Sequence, residues 1–268
     1  MRRTARVGSM RVARFAGEDD PQFGVVGDDD GVPTIAVLKG DPLYAGFELT
    51  GQKVAVEDVR LLAPVIPRSK VVGIGKNYAK HAAEMGGEVP AEPLVFLKPN
   101  TSVVGPGEPI VYPPQTSELH FEGELAVVIG RICKDVPVDD VDKVVFGYTV
   151  ANDVTARDLQ ARDGQWARAK GFDSFCPLGP WIETNLDPSD LRVRTALNAE
   201  TKQDGRTSDM VFSVAEIIAY VSSFMTLLPG DVVLTGTPDG IGPMQVGDTV
   251  SVTISGIGTL VNQVVSHD

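Results

Sequence analysis

The chain has 268 residues, enough to bury a full core as one large domain or as a large and a small one. Its 36 Asp and Glu against 24 Lys and Arg give a formal net charge of −12. This acidic balance argues against general binding to nucleic acids or anionic membranes, although a local metal ion or lysine could still hold a negatively charged small substrate.

The two cysteines, Cys133 and Cys176, are far apart and form no CxxC pair. They predict buried free thiols in a reducing cytoplasm, without a disulfide framework or a thiolate zinc site. Residues 1–9 are basic but lack the apolar segment of a secretory signal, so we interpret them as an upstream extension or, alternatively, an organellar transit peptide. No apolar run approaches the length that a membrane span requires.

Residues 10–66 have the pattern of short strands joined by tight turns. Strands are predicted at 11–15, 23–26 and 35–38, and the acidic run at 28–30 is interpreted as a solvated hairpin tip. The segment 62–67 contains two prolines, which indicates a linker. We therefore predict a small N-terminal β domain over residues 1–66 and a larger domain over residues 67–268.

The larger region has many strands and few helices. Strands are predicted at 71–74, 121–129, 144–150, 232–234, 249–254 and 259–265, and helices at 78–85, 155–161 and 214–224. Ser213 and Glu216 form a capping box at the start of the last helix. Because this order lacks the regular alternation of a doubly wound sheet, the sequence predicts a β-rich α+β fold. Its sheet would be mixed and rolled up, or closed into a barrel, with peripheral helices.

Two carboxylates stand at the beginning of an apolar strand. Glu122 and Glu124 precede the branched, apolar run at 125–129, and strand alternation places both side chains on one face. Two like charges at the mouth of a buried strand are unfavourable unless a cation lies between them. The pair therefore indicates a divalent cation, and the alternative is an exposed strand end with its polar face in water.

Asp153 comes just after the apolar strand predicted at 144–150. Alone it would be a turn or cap residue, but beside two inward-facing glutamates it becomes a third oxygen ligand. Three carboxylates without a matching His or Cys cluster favour Mg²⁺ or Mn²⁺ over zinc. Thr155 is predicted to cap the helix that follows, with Asp158 as its capping partner.

His81 and Glu84 are i, i+3 neighbours on the predicted helix at 78–85. A carboxylate beside an imidazole raises its basicity and fixes its orientation, as a general base requires. The alternative is a surface pair without function. The glycine pair at 86–87 indicates that this segment can move.

Other polar residues are candidates for contacting an anionic substrate. Lys170 lies among small and apolar residues, and Arg157 and Gln160 are one turn apart on a predicted helix. The Gly-rich turn at 235–242 offers backbone N–H groups and the Thr237 hydroxyl to a carboxylate. Each has a simpler interpretation as well: a solvated lysine, a solvated helix face and a Gly-rich loop.

Taken together, these segments resemble the fumarylacetoacetate hydrolase superfamily. The resemblance covers roughly residues 70–260 in the family's order. It is carried by the motifs GKNY at 75–78 with His81 and Glu84, FEGEL at 121–125, NDVTARDLQ at 152–160, KGFD at 170–173 and TGTPDGIG at 235–242.

The resemblance implies a β-roll catalytic domain over residues 67–268, the small N-terminal β domain and a homodimer. It implies that Mg²⁺ or Mn²⁺ is held by Glu122, Glu124 and Asp153.

It also implies that His81 and Glu84 are a catalytic pair on a lid that orders over the substrate, with Lys170 as a further catalytic group. Three more residues would contact the substrate: Arg157, Gln160 and Thr237.

The chain is similar to bacterial isomerases of 2-hydroxyhepta-2,4-diene-1,7-dioate, which serve aromatic catabolism, and to acylpyruvate hydrolases and oxaloacetate decarboxylases. We therefore expect a metal-dependent enzyme that acts on an enolisable 2-oxo acid, with this isomerisation as the first hypothesis and hydrolysis or decarboxylation as alternatives. A non-catalytic carboxylate-binding protein is the hypothesis from a different class. Neither nucleic acid nor membrane is expected as a partner.

Overall fold

Strands dominate the structure, a computed structural model that describes residues 10–267. The basic extension interpreted from the sequence, residues 1–9, lies outside the described residues. The N-terminal region contains strands β1 (Arg11–Phe15), β2 (Gln22–Asp29), β3 (Val32–Leu38), β4 (Leu49–Ala55) and β5 (Leu61–Leu62), with the short helix α1 (Pro42–Ala45) between β3 and β4.

The acidic segment between β2 and β3 is the hairpin tip that the sequence predicted. Asp30 and Gly31 have φ angles of 55° and 88°, so two consecutive residues adopt the left-handed conformation of a tight hairpin turn. The Gly31 N–H donates to the Asp28 carboxylate at 2.7 Å, which closes the turn.

The remaining elements follow in chain order. The strands are β6 (Val71–Gly75), β7 (Leu94–Lys98), β8 (Val103–Val104), β9 (Ile110–Tyr112), β10 (Leu119–Phe121), β11 (Gly123–Ile129), β12 (Val145–Asn152), β13 (Thr155–Ala156), β14 (Cys176–Glu183), β15 (Arg192–Leu197), β16 (Glu200–Arg206), β17 (Val232–Leu234), β18 (Gly242–Met244), β19 (Thr249–Ile254) and β20 (Gly258–Ser266). The helices are α2 (Ala79–Glu84), α3 (Arg157–Asp163), α4 (Ala167–Gly171) and α5 (Val214–Phe224).

Twelve strands form the largest sheet, in the order β4-β3-β2-β1-β14-β12-β11-β17-β6-β7, with β5 beside β1 and β8 beside β14. Most pairs are antiparallel, but β17 with β6 and β14 with β8 are parallel, so the sheet is mixed. The predicted strand-rich, mixed fold is confirmed. The barrel that the sequence left open is not formed, because in the described chain this sheet ends at the edge strands β4 and β7.

Two smaller sheets complete the architecture. One has the order β13-β10-β18, and the other has the order β16-β15-β19-β20-β9. Strand β11 lies in the middle of the large sheet and is buried on both faces. Leu125 and Val127 face the core beneath α5, whereas Ala126 and Val128 face a second apolar cluster on the opposite side.

Helix α5 is the element that the sequence defined best. Its capping box is present, because the Glu216 carboxylate accepts from the Ser213 N–H at 2.7 Å and the Ser213 hydroxyl accepts from the Glu216 N–H at 3.3 Å. Its apolar face, including Ile217 and Val221, is fully buried against the large sheet. No helix among residues 10–267 combines the length and the apolar character needed to cross a bilayer.

The N-terminal strands continue the large sheet, because β1 pairs with β14. The segment 62–67 is mostly buried, with Val65 only 3% exposed. A division of the chain at residue 66 therefore remains a prediction. Both cysteines are buried free thiols, as predicted, and burial raises the pKa of the Cys176 thiol to about 12.

Two sequence expectations are corrected by the structure. The strand predicted at 121–129 is interrupted at Glu122, because the Glu122 N–H donates to the Asn152 side chain at 2.9 Å and its carbonyl accepts from the Asp153 N–H at 2.8 Å. Thr155 does not cap a helix: it belongs to β13, its hydroxyl donates to the Asp153 carbonyl at 2.8 Å, and α3 begins at Arg157. The Asp158 carboxylate instead accepts from the Ser117 N–H at 3.2 Å.

Candidate active site

Three buried carboxylates meet where β11 begins and β12 ends. The antiparallel register pairs Gly123 with Asn152, so Glu122, just before β11, lies beside Asp153, just after β12. Glu124, two residues into the apolar strand, points to the same place. Their ligand oxygens all lie within 4.8 Å of one another, and the three residues are 4%, 2% and 1% exposed in the order Glu122, Glu124 and Asp153.

Cationic side chains reach the same cluster from other elements. The Lys170 ammonium, on α4, donates to Glu122 at 2.8 Å and to Asp153 at 2.6 Å. Arg157, at the start of α3, forms an ion pair with Glu122, and Lys98, at the end of β7, forms one with Asp153. Lys98 is a functional candidate that the sequence analysis missed. Its only sequence signal is a charge at the end of an apolar strand.

The uneven distribution of these ion pairs shifts the pKa values of Glu122 and Glu124 in opposite directions. Burial opposes ionisation of Glu122, but the charges of Lys170 and Arg157 outweigh it and hold its pKa well below the ordinary value. Glu124 has its pKa raised by burial and by the charges of Asp153 and Glu122. Within the described chain, Glu124 has no cation at ion-pair distance, although the Gly236 N–H donates to it at 2.7 Å.

The donor set fits a hard divalent cation. It consists of carboxylate oxygens only, which suit Mg²⁺ or Mn²⁺ better than the softer metals that histidine and cysteine ligands favour. The unpaired Glu124 supports the fit, because a cation in contact with it would offset the cost of burying its charge.

His81 and Glu84 form the predicted pair on α2. His81 is 6% exposed and lines the cavity next to the carboxylates, and its Nδ1 lies 3.2 Å from the Glu84 carboxylate. A carboxylate at Nδ1 favours the tautomer that carries its proton there, which leaves Nε2 as a proton acceptor. Glu84 also accepts the Gly240 N–H at 3.1 Å, so it connects α2 to the Gly-rich loop.

The remaining predicted contact residues also line the cavity. Arg157 donates to the Gln160 side chain at 2.5 Å, as expected for neighbours on one helix face. The Thr237 hydroxyl donates to the Gly123 carbonyl at 2.9 Å and accepts from the Gln203 amide at 2.7 Å. Its proton is therefore engaged within the protein. Gln203 was not singled out from the sequence, because it lies in a polar strand whose pattern carries no such signal.

The cavity has a volume of about 300 Å³. All of the predicted site residues except Glu84 line its wall, and Glu84 lies directly behind His81. An apolar portion of the wall, which the sequence did not indicate, consists of Ile74, Gly75, Met85, Phe96, Ala161 and Trp166.

Known proteins similar to this chain include some whose names state no activity and some that are named as enzymes. Protein Rv2993c of Mycobacterium tuberculosis is 52% identical over 261 residues, which cover 96% of this chain and 98% of that protein. The human mitochondrial oxaloacetate tautomerase FAHD2A is 44% identical over 220 residues, covering 78% of this chain and 70% of that protein.

Solved structures extend the comparison. The 2-hydroxyhepta-2,4-diene-1,7-dioate isomerase of Mycobacterium marinum has a TM-score of 0.89 at 50% identity, covering 96% of this chain and 99% of that one. The fumarylpyruvate hydrolase of Pseudomonas aeruginosa in complex with Mn²⁺ and pyruvate has a TM-score of 0.72 at 36% identity, covering 76% and 91%.

Two family models match this chain. The model described as Rv2993c-like, N-terminal, matches residues 10–64, and the model described as fumarylacetoacetate (FAA) hydrolase C-terminal matches residues 70–265. The second match spans most of the chain and includes every site residue described above. The chain belongs to the fumarylacetoacetate hydrolase family.

Proposed function

We propose that this protein is a Mg²⁺- or Mn²⁺-dependent enzyme that acts on an enolisable 2-oxo acid. The observation that carries the proposal is the buried carboxylate cluster formed by Glu122, Glu124 and Asp153, with the His81–Glu84 pair on the wall of the same cavity. One half of the site suits a divalent cation, and the other suits proton transfer.

The proposed cation would be held by Glu122, Glu124 and Asp153, and it would supply a Lewis acid that stabilises negative charge developing on the substrate. The cationic side chains of the site would contribute to the same stabilisation. Burial lowers the pKa of Lys170, but Asp153 and Glu122 outweigh it and the net shift is upward. Lys170 therefore stays protonated, so in this proposal it stabilises an anion and does not accept a proton.

Proton handling is assigned to His81, with Glu84 positioning its ring. The Nε2 atom of His81 would take a proton from carbon or from water, and Glu84 would stabilise the imidazolium that results. Arg157, Gln160 and the backbone around Thr237 would orient the carboxylate of the substrate. The burial of the three carboxylates within this half-enclosed cavity reduces their contact with water, which strengthens these interactions.

Isomerisation of 2-hydroxyhepta-2,4-diene-1,7-dioate is our first choice of reaction. It is supported by the similarity to the M. marinum isomerase over nearly the whole chain. Reactions of oxaloacetate, as tautomerisation or decarboxylation, are the second choice, supported by the 44% identity to a named oxaloacetate tautomerase. Acylpyruvate hydrolysis draws on the same stabilised enolate and is the third.

A substrate panel tests the proposal. The protein, loaded with Mg²⁺ or Mn²⁺, is mixed with the heptadienedioate, oxaloacetate and an acylpyruvate, and loss of the enol absorbance is followed. We expect metal-dependent turnover of at least one substrate, and we expect EDTA to abolish that turnover. Metal and oxalate binding detected by thermal shift, without turnover of any member, would instead indicate a carboxylate-binding protein.

We also propose that the protein is a homodimer, as the family resemblance implies, and that it is cytoplasmic, which its two free cysteines support. Sedimentation velocity at micromolar concentration tests the association state. A single species with the mass of one 28.5 kDa chain would contradict the dimer.

A further inference from the structure

The residues of the apolar wall contact one another in a series that begins at the carboxylate cluster. The Lys170 ammonium, which belongs to the carboxylate cluster, lies 5.0 Å from the centre of the Phe96 ring. Phe96 meets Trp166 edge to face with ring centres 5.4 Å apart. Trp166 in turn covers Gly75, where an added Cβ would lie 2.6 Å from a ring carbon. The wall therefore leads from the carboxylate cluster to Gly75.

Lys76 is the polar residue that follows Gly75 directly in the chain. It lines the cavity and is half-buried, and its φ of 58° is unusual for a residue with a side chain. Its ammonium lies against Gly87, just beyond α2, where an added Cβ would come within 2.6 Å of Nζ. The absence of a side chain at Gly87 thus makes room for this ammonium near the end of α2.

Lys76 also differs in charge pairing from the other cations of the cavity. Lys170 and Arg157 are committed to the carboxylate cluster. Lys76 forms neither an ion pair nor a side-chain hydrogen bond with any residue of the described part, 10–267. A cation that lines a half-enclosed cavity without a protein partner is free to bind an anionic group of a ligand.

We propose that Lys76 binds a second carboxylate, at the end of the substrate remote from its 2-oxo acid group, and so selects dicarboxylic substrates. This inference rests on the proposed function, since it takes the 2-oxo acid group to bind at the carboxylate cluster. The substrate class is a 2-oxo dicarboxylic acid whose unsaturated or aliphatic chain lies along Phe96 and Trp166. A monocarboxylic acid of equal length would leave Lys76 unpaired.

Matched ligands isolate the contribution of the second carboxylate. 2-Oxoheptanedioate and 2-oxoheptanoate have the same chain length and differ only in the terminal carboxylate, whereas oxalate probes the carboxylate cluster alone. Affinities are measured by calorimetry on the Mg²⁺-loaded protein, which requires no turnover. A charge-assisted hydrogen bond predicts that the wild-type protein binds the diacid about 10- to 100-fold more tightly than the monoacid.

Lys76→Met should abolish this preference and leave oxalate affinity unchanged, and Lys76→Arg should retain most of it. Lys80→Met is the matched control, because Lys80 is an exposed lysine on α2 that does not line the cavity. It should keep the full preference. Retained oxalate binding shows that each variant is folded at the site, and Lys76→Gln replaces Lys76→Met if that variant fails this criterion.

The outcomes separate the two proposals. A diacid preference that persists in Lys76→Met, or a wild-type protein that binds both acids equally or neither, overturns the role of Lys76. A Lys76-dependent preference in a protein that turns over no 2-oxo acid supports the role of Lys76 and contradicts the proposed enzyme function. Turnover in the substrate panel together with an unaltered preference in Lys76→Met supports the proposed enzyme function and contradicts the role of Lys76.

Discussion

The Lys170 ammonium lies 2.6 Å from the Asp153 carboxylate, and both groups are almost completely removed from solvent. Lys170 also donates to Glu122, and Arg157 pairs with Glu122 as well, so two of the three clustered carboxylates are compensated by the protein itself. Glu124 is not. The ion pairs of Glu122 and Asp153 therefore stabilise the fold, whereas the charge of Glu124 requires a bound cation.

Lys170→Met should strongly destabilise the metal-free protein. The substitution keeps the side-chain volume but leaves Glu122 and Asp153 with one cation fewer in a buried environment. Loss of one partner of a buried ion pair costs about 3–5 kcal/mol in the free energy of unfolding. Urea denaturation in EDTA measures the change. Lys143→Met is the control, because its ion pair with Asp140 is exposed, and it should change little.

Glu124→Gln should have the opposite effect on the metal-free protein and should abolish its response to metal. Glutamine can still accept the Gly236 N–H, and because it is always neutral it avoids the cost of either burying the Glu124 charge or keeping that group protonated in the fold. The variant should be more stable than wild type in EDTA at neutral pH, and Mg²⁺ or Mn²⁺ should no longer raise its melting temperature. A metal-induced shift equal to that of wild type would show that Glu124 is not a ligand.

The pH dependence of stability should identify the same group. Because the pKa of Glu124 is raised above its ordinary value of 4.5, the folded protein holds a proton there that the unfolded chain loses. The free energy of unfolding should therefore fall as pH rises above about 4.5 in metal-free wild type, relative to Glu124→Gln. Denaturation midpoints of the two proteins between pH 4.5 and 8 measure this difference. Parallel curves would contradict it.

His81→Ala should separate proton transfer from binding. If His81 moves the proton, turnover should fall by about 10²–10⁴-fold, the usual cost of losing a general acid–base group. Metal affinity and oxalate affinity should stay nearly unchanged, because the carboxylate ligands are intact. Lys80→Met serves again as the control on the same helix. Full activity of His81→Ala on every substrate that wild type converts would place the base elsewhere.

Glu84 should have two separable effects, one on the imidazole and one on the Gly-rich loop. Glu84→Gln keeps an acceptor for the Gly240 N–H but removes the charge that positions the His81 ring, so it should lower turnover less than His81→Ala. Glu84→Ala should in addition speed hydrogen exchange of the Gly240 amide, since a hydrogen bond worth about 1 kcal/mol is lost. Mass spectrometry of a peptide covering residues 236–242 measures the exchange. Identical exchange in both variants would contradict this division.

The sequence determined those features that depend on short-range pattern. Helix α5 was predicted with its exact bounds and its Ser213–Glu216 capping box, because periodicity and capping are local properties. Strands β17 and β19 were also predicted with the bounds that the structure shows. The carboxylate cluster could be proposed because Glu122 and Glu124 are placed against an apolar run where charge is costly.

Tertiary structure alone decided which groups meet in the cavity. The register of β11 against β12 brings Asp153 to Glu122, and the end of β7 brings Lys98 to Asp153. Local pattern could not show the break in the strand at Glu122, because the Asn152 side chain that satisfies the Glu122 N–H is remote in sequence. Contacts between distant segments depend on sheet register and packing, and neither is encoded in the periodicity of one segment.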